Sequence, residues 1–408
     1  MAKKYYELSP DERLALLQLS DQDKSAWHDN QSDNNTQIVE NYITDFRLPM
    51  GILQDIIVNG HQVSVPMAIE EPSVIAAANN GAKMLNAGGG VQVVLPKRSA
   101  LTGQLLFTNI DFDTINQFVL THQKILFECA KQSKPSIYKR GGGLLSVVTR
   151  RITDSDVSVD FTIDTKDAMG ANIVNTILEA ETTIFSDFKN QFIGAILSNY
   201  AIDQLVTVTG RVPFANVGGQ QVAEKIVSLS KFSKHDIYRA TTENKGLFNG
   251  LSAVVMATGN DWRAVEASGH AYASHNGQYQ SLTTWSIKND YLQGELTLPI
   301  SVGTVGGAIS AMPQAQRALR MMAVETADQL RGIILAVGLA QNLAALKAIV
   351  AGGIQQGHMK MQYRALAIQV GATIAEVQTL VTKLRALKQV DTEIAKKILM
   401  EMRDESKN

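Results

Sequence analysis

The chain has 408 residues, enough for two or three domains around substantial cores. Its 38 basic and 39 acidic residues leave a formal net charge of −1, which argues against a nucleic-acid or anionic-membrane partner. A single cysteine, Cys129, excludes an intrachain disulfide and fits a reducing cytoplasm.

The first residues, MAKKYYELSPDERLALL, hold no apolar stretch of the secretory kind. Ser9-Pro10-Asp11-Glu12 is a capping box with proline in the first turn, and it predicts a helix through Leu14, Leu16 and Leu17. Residues 13–45 then mix helical and polar loop signals. Gln62 to Met67 alternates like a strand, and Pro72 opens a helix with Glu70 and Glu71 at its positive end.

Near residue 100 the pattern changes. Leu105–Phe107, Leu144–Val148 and Val157–Ile163 read as strands, Asp113–Gln132 and Met169–Ser186 as helices. The alternation predicts an inserted α/β module of about 100 residues. Nothing in the spacing demands parallel crossovers, so its sheet can be antiparallel.

Thr241 to Ala267 sets Lys245 beside a Gly-Leu-Phe-Asn-Gly turn. An apolar run, Leu251–Met256, follows, and then a Gly-Asn-Asp turn carrying Asp261. The run reads as a buried strand or a buried helix segment. A lysine and an aspartate on rigid elements suit a site that stabilises developing negative charge. One extended strand, at about 3.3 Å per residue, would leave them tens of ångströms apart, so a fold-back or a second element must close the gap.

Gly332 to Ile354 is the most membrane-like run, but Gln341, Asn342 and Lys347 interrupt it, which predicts a closely packed central helix. Thr373-Ile374-Ala375-Glu376 is a second capping box. Behind it Ile374, Val377, Val381, Leu384 and Leu387 form an apolar stripe. Asp391 starts a last helix with Ile394, Ile398 and Met402 inward.

Neither the dinucleotide fingerprint nor the phosphate-binding P-loop occurs, and no metal site is expected. Lys131, Lys134, Lys139 and Arg140 precede three glycines and read as an anion pocket or, favoured on composition alone, a solvated basic face. Asp167 to Asn172 opens a helix with small residues, so a ligand can approach its N–H groups, although helix packing explains Gly170 and Ala171 equally well. His358 sits where the chain enters its C-terminal segment, a place from which a closing lid can deliver it. Cys129 reads as a small core residue on a helix; its sharper reading is the nucleophile of an acylating reductase.

Together the motifs point one way. Glu70-Glu71-Pro72-Ser73, DAMGAN at 167–172, NKG at 244–246, GNDWRAVEA at 259–267, SLTTW at 281–285, VGTVGGA at 302–308 and GHM at 357–359 occur in one order. That set closely resembles the soluble bacterial class II 3-hydroxy-3-methylglutaryl-coenzyme A (HMG-CoA) reductases. The resemblance implies an α+β fold. A large, mostly helical mixed domain (1–104 and 205–354) would carry an inserted ferredoxin-like, cofactor-binding small domain (105–204), and a helical flap (355–408) would follow.

It also implies the activity: reduction of HMG-CoA to mevalonate and coenzyme A by NADPH or NADH, or the reverse in mevalonate breakdown. Lys245 would stabilise the oxyanion and Asp261 would hold and tune it. Glu71 would protonate the mevaldehyde oxygen, and His358 the departing thiolate. Arg239 and Asn249, with Ser73 and Asn199, would hold the substrate's polar end. Asp167, Met169, Gly170 and Asn172 would contact the nicotinamide cofactor. Lys134 stands where NADH-using members can carry an acid, so a 2′-phosphate partner and NADPH preference are expected. The implied assembly is a cytoplasmic homodimer, or an assembly of dimers, with its site at the interface.

Overall fold

The computed structural model describes residues 3–96, 99–351, 363–387 and 390–405. The chain divides into two compact units, Met1–Met50 and Gly51–Asn408. In the first, the Ser9 capping box forms: the Ser9 hydroxyl accepts from Glu12 N–H at 3.1 Å, and Ser9 N–H donates to the Glu12 carboxylate at 2.7 Å. It starts α1 (Pro10–Ala15), which ends short of Leu16 and Leu17. Two further short helices follow, α2 (Asp21–His28) and α3 (Asp33–Ile38). The Arg13 guanidinium donates to the carbonyls of Tyr5, Tyr6 and Tyr42, so this segment is closed by satisfying loose backbone acceptors.

The second unit is built on a six-stranded sheet. Its strands are β1 (Met50–Val58), β2 (His61–Ala68), β3 (Val91–Val94), β8 (Leu205–Pro213), β9 (Thr283–Lys288) and β10 (Tyr291–Pro299), in the order β2-β1-β3-β8-β10-β9. Asn59 and Gly60, both with positive φ, make the tight turn between β1 and β2. β3 runs parallel to β1 and antiparallel to β8, and β10 is antiparallel to both its neighbours. α4 (Pro72–Asn86) links β2 to β3, with Pro72 in its first turn as the sequence predicts.

Between β3 and β8 lies the insert: β4 (Leu101–Thr108), α5 (Phe112–Ser133), α6 (Pro135–Lys139), β5 (Gly143–Arg151), β6 (Asp156–Asp164), α7 (Ala171–Glu181) and β7 (Phe192–Leu197). Its strands order as β5-β6-β4-β7, and every pair is antiparallel. That order on a βαββαβ chain is the ferredoxin-like arrangement. β4 alternates buried and half-buried along its whole length, and Leu105, Phe107, Val159 and Phe161 join Val174 and Leu178 of α7 in a separate core. The sheet therefore begins at Leu101, ahead of residue 105. α7 is shorter than the Met169–Ser186 expectation because Gly170, at φ 105°, stands outside the helix as its cap.

The remaining helices of the large core are α8 (Phe214–Val217), α9 (Gln220–Ser233), α10 (Ile237–Ala257), α11 (Trp262–Ala273), α12 (Gly307–Ala311), α13 (Pro313–Met321) and α14 (Ala327–Ala351). α14 is apolar enough to cross a membrane, with a mean hydropathy of 1.9 over its most apolar 18 residues, but 72% of those residues are buried inside the protein. It packs with α4, α9, α10 and the sheet as a central core helix. The Gly246–Gly250 stretch is no turn: it is interior to α10, and the apolar run after it is that helix's last turns. Gly250 is small because α14 approaches there; a Cβ would stand 2.9 Å from that of Gln341.

Residues 363–405 gather a third core around Leu380, Val381, Leu384, Ala395 and Leu399, on helices that include Ile374–Arg385 and Thr392–Glu405. The Thr373 capping box forms. Ile374, its first helical residue, points to solvent, and Leu380 fills the core in its place.

Candidate active site

A cavity of about 470 Å³ collects the N-terminus of α7, the α5–α6 corner and the turn before α11. Met169, Gly170 and Asn172 line it from α7, Lys134 and Arg140 from the corner, and Asp261 from the turn. Gly170 is required on two counts: its φ is positive, and a Cβ would sit 2.4 Å from the Thr165 side chain. Without that side chain, backbone N–H groups at the start of an 11-residue helix face the cavity, beside two cations. Such a wall suits the phosphates of a dinucleotide.

Asp261 is set there by its neighbours. Buried Asn260 exchanges two hydrogen bonds with the backbone of Gly303, at 2.8 and 3.1 Å. Gly303 in turn lies so close to the α7 entry that a Cβ would stand 2.4 Å from Met169 N. Ala168 bridges Val305, so the large and small sheets' loops meet at this point. Asp261 caps α11, accepting from the N–H groups of Arg263 and Ala264 at 3.0 and 3.2 Å, and its other oxygen pairs with Arg263 at 3.1 Å.

Lys245 is exposed, in the middle of α10. It forms no hydrogen bond or ion pair among the described residues. From Lys245 to the end of α10 at Ala257 the helix rises about 18 Å, at ~1.5 Å per residue, and Asp261 lies beyond that end. The chain folds back there, Asn260 N–H donating to the Val255 carbonyl at 3.0 Å, and Asp261 follows at the start of α11, where it pairs with Arg263 and not with Lys245. Asn249, one turn after Lys245, shares its face and is half-buried.

Glu71 precedes α4 with extended backbone, and the Ser73 hydroxyl donates to its carboxylate at 2.6 Å. The elements on either side of it, β2 and α4, both pack on α10. Arg239 lies in the first turn of α10, with Nε 3.8 Å from Glu243. Asn199, after β7, is exposed. Asp167 is not on the cavity wall. Its carboxylate accepts from Ala327 N–H at 2.8 Å, at the start of α14, and its carbonyl from Thr304 N–H at 2.8 Å. His358 lies outside the described residues. Cys129 is half-buried on α5; burial, then the nearby Glu181 carboxyl, push its thiol up to about 11, the opposite of what a nucleophilic cysteine needs.

The family model for hydroxymethylglutaryl-coenzyme A reductase matches residues 9–363. The chain belongs to the HMG-CoA reductase family. It is 36% identical to the 3-hydroxy-3-methylglutaryl-coenzyme A reductase of Archaeoglobus fulgidus, over 98% of this chain and 94% of that one. The reductase from Streptococcus pneumoniae superposes with a TM-score of 0.77 at 38% identity, covering 98% of this chain and 99% of the other. A class II reductase from the same organism, bound to NADPH in open conformations, gives 0.76 at 39% identity over 96% and 99%. The resemblance read from the motifs, and the α+β fold it implied, are both borne out.

For an HMG-CoA reductase, the sequence reading omitted several cavity residues. Of the basic run, Arg140 lines the wall with Lys134, while Lys131 and Lys139 do not. Ser136, Gly306 and Gly307 line it too. Arg140 had a signal in that basic run; Ser136 had none, because a serine in a short helix is unremarkable until the cavity is seen. Asn260 was legible only as part of a turn.

Proposed function

We propose that this protein reduces HMG-CoA to mevalonate and coenzyme A with NADPH, through mevaldyl-CoA and mevaldehyde. The observation that carries the reading is the cavity, where Asp261 stands beside the α7 N-terminus, Lys134 and Arg140. The residues fit the cofactor: two NADPH molecules, bound there one after the other, would each supply one of the two hydrides that a four-electron reduction needs. Lys134 and Arg140 can pair with its 2′-phosphate, while Met169, Gly170 and Asn172 offer the close backbone approach. Asp167 acts at this end through the backbone, by tying the loop to α14.

The chain's own groups do the proton work. Lys245 donates to the thioester carbonyl oxygen as charge develops on it, and Asp261 holds that ammonium and tunes its proton affinity. Glu71, oriented by Ser73, gives a proton to the mevaldehyde oxygen. His358 protonates the departing thiolate. Arg239, Asn249 and Asn199 hold the polar end of the substrate. Since Lys245 forms no ion pair among the described residues while Asp261 pairs with Arg263, we infer a homodimer in which the lysine of one copy meets the aspartate of the other. The single cysteine fits a cytoplasmic enzyme. Run in reverse, with two oxidised cofactors taking the hydrides and coenzyme A taking the acyl group, the same residues would serve mevalonate oxidation.

The test is absorbance at the nicotinamide band with purified protein and HMG-CoA. Two NADPH consumed per coenzyme A released supports the reading; no oxidation of NADPH or NADH defeats it.

A further inference from the structure

Two residues before Lys245, α10 carries a buried carboxylate that the catalytic scheme does not use. Glu243 is 3% exposed. Its Oε2 accepts from Ser233 Oγ of α9 at 2.5 Å. Its Oε1 accepts from Thr283 Oγ1 of β9 at 2.9 Å and from Asn342 Nδ2 of α14 at 3.3 Å. Three separate elements thus converge on one carboxylate. The Asn342 orientation is itself imposed, because Trp285 Nε1 donates to its Oδ1 at 2.7 Å and leaves the amide N–H side for Glu243.

The fourth neighbour is Arg239, one turn earlier, with Nε 3.8 Å from Glu243 Oε2. Arg239 is the unusual member of the group. Its Nε is buried without a hydrogen-bond acceptor, and among the described residues no acceptor takes any of its guanidinium N–H groups. The two fully buried arginines bond inside the protein, Arg13 to three carbonyls and Arg331 to Ile300 and Asp328 with only its Nη2 unpartnered, whereas half-buried Arg239 bonds to none among the described residues. An arginine fork with a fixed carboxylate 3.8 Å from its Nε, and with its N–H groups unspent, is arranged for a carboxylate that arrives from outside. The neighbouring Asn244 is clamped to Gln280 and Leu282, so this part of α10 has little freedom to readjust.

We propose that Glu243 is a positioning residue for substrate binding: fixed by Ser233, Thr283 and Asn342, it orients Arg239 so that the guanidinium meets the free carboxylate of the acyl substrate. This rests on the reading in which Arg239 holds that end of HMG-CoA. Loss of Glu243 then acts on substrate affinity and leaves the cofactor cavity and the hydride steps alone.

The experiment compares Glu243→Gln, Arg239→Lys and the double variant in steady-state assays with HMG-CoA and NADPH. Glu243→Gln keeps one acceptor oxygen, for Thr283 and Asn342, turns an amide N–H toward the Ser233 hydroxyl, which can accept it, and removes the charge. The expected result is a rise of about tenfold in KM for HMG-CoA, equivalent to ~1.4 kcal/mol, with kcat and KM for NADPH unchanged. In the double variant the rise should equal that of Arg239→Lys alone, because Glu243 acts only through Arg239. A normal KM in Glu243→Gln, or additive effects in the double variant, overturns the proposal while Arg239 keeps its role. A normal KM in Arg239→Lys overturns the parent reading and this one with it. Should Glu243→Gln fail to fold, Ser233→Ala removes one donor from Oε2 and should raise the same KM by a smaller factor; an unchanged KM in folded Ser233→Ala overturns the proposal.

Discussion

Pairing two defective copies tests the shared site directly. Lys245→Ala and Asp261→Ala should each lower turnover about 10²–10³-fold, the usual cost of removing an oxyanion partner. Within one chain Asp261 pairs with Arg263, and Lys245 forms no ion pair among the described residues, which is the ground for placing the pair across two copies. If the two come from different copies, a hybrid dimer of the two variants has one site lacking both groups and one site lacking neither. Co-expressed in equal amounts, the variants should form about half hybrids, so about a quarter of all sites are intact. The assay is NADPH oxidation by the mixture against wild type at equal protein. Recovery to about a quarter, from about 1% or less in each variant alone, is the expected outcome. If the mixture is no more active than the separate variants, the pair belongs to one chain and the ground for a shared site is wrong.

Lys134→Asp should lower kcat/KM for NADPH about 10–100-fold, the cost of one charge-assisted hydrogen bond, and narrow or reverse the preference over NADH. Unchanged values with both cofactors would remove Lys134 from the phosphate site. Glu181 offers a stability test: its side chain is buried, and burial, opposed only by the Ala130 backbone and the Cys129 thiol, pushes its pKa from the ordinary 4.5 to about 8. The native state then keeps the proton between those values while the unfolded chain has released it. Stability is therefore full below about pH 4.5 and falls as pH rises toward 8. Urea titrations at pH 5 and pH 8 should show wild type losing about 3 kcal/mol more than Glu181→Gln; equal losses would contradict the burial argument. Cys129→Ala should keep wild-type turnover, since a half-buried thiol raised to about 11 holds almost no thiolate at neutral pH. Abolished turnover in folded Cys129→Ala would instead favour a covalent acyl-enzyme.

Much of the fold was legible because local rules and tertiary packing agree in this chain. The Ser9 and Thr373 boxes, Pro72 and the run Val157–Ile163 are short-range signals, and an element forms at each. The reading failed where a residue's role depends on what lies across from it. Gly246 and Gly250 look like turn residues in one dimension, but α14 takes the space a side chain would occupy at Gly250. Ile374 belongs to an apolar stripe by spacing, yet as the first helical residue it clears the small core and is 96% exposed. Asp167 carries a motif's signature, and its carboxylate is spent on Ala327, 160 residues away.

The sequence by itself determined the family and the kinds of chemical group available, because spaced motifs such as DAMGAN and GNDWRAVEA are read without knowing any distance. It also determined the charged corner at Lys134 and Arg140, though not that the two share a cavity with Asp261. Tertiary structure alone decided which groups meet. Packing of α9, α14 and β9 around Glu243 and the Asn260–Gly303 clasp are both long-range facts. The physical reason is the same in each case. Helix caps and strand alternation cost nothing beyond a few neighbouring residues, whereas a buried carboxylate or a fixed aspartate is stable only when partners from distant segments satisfy it.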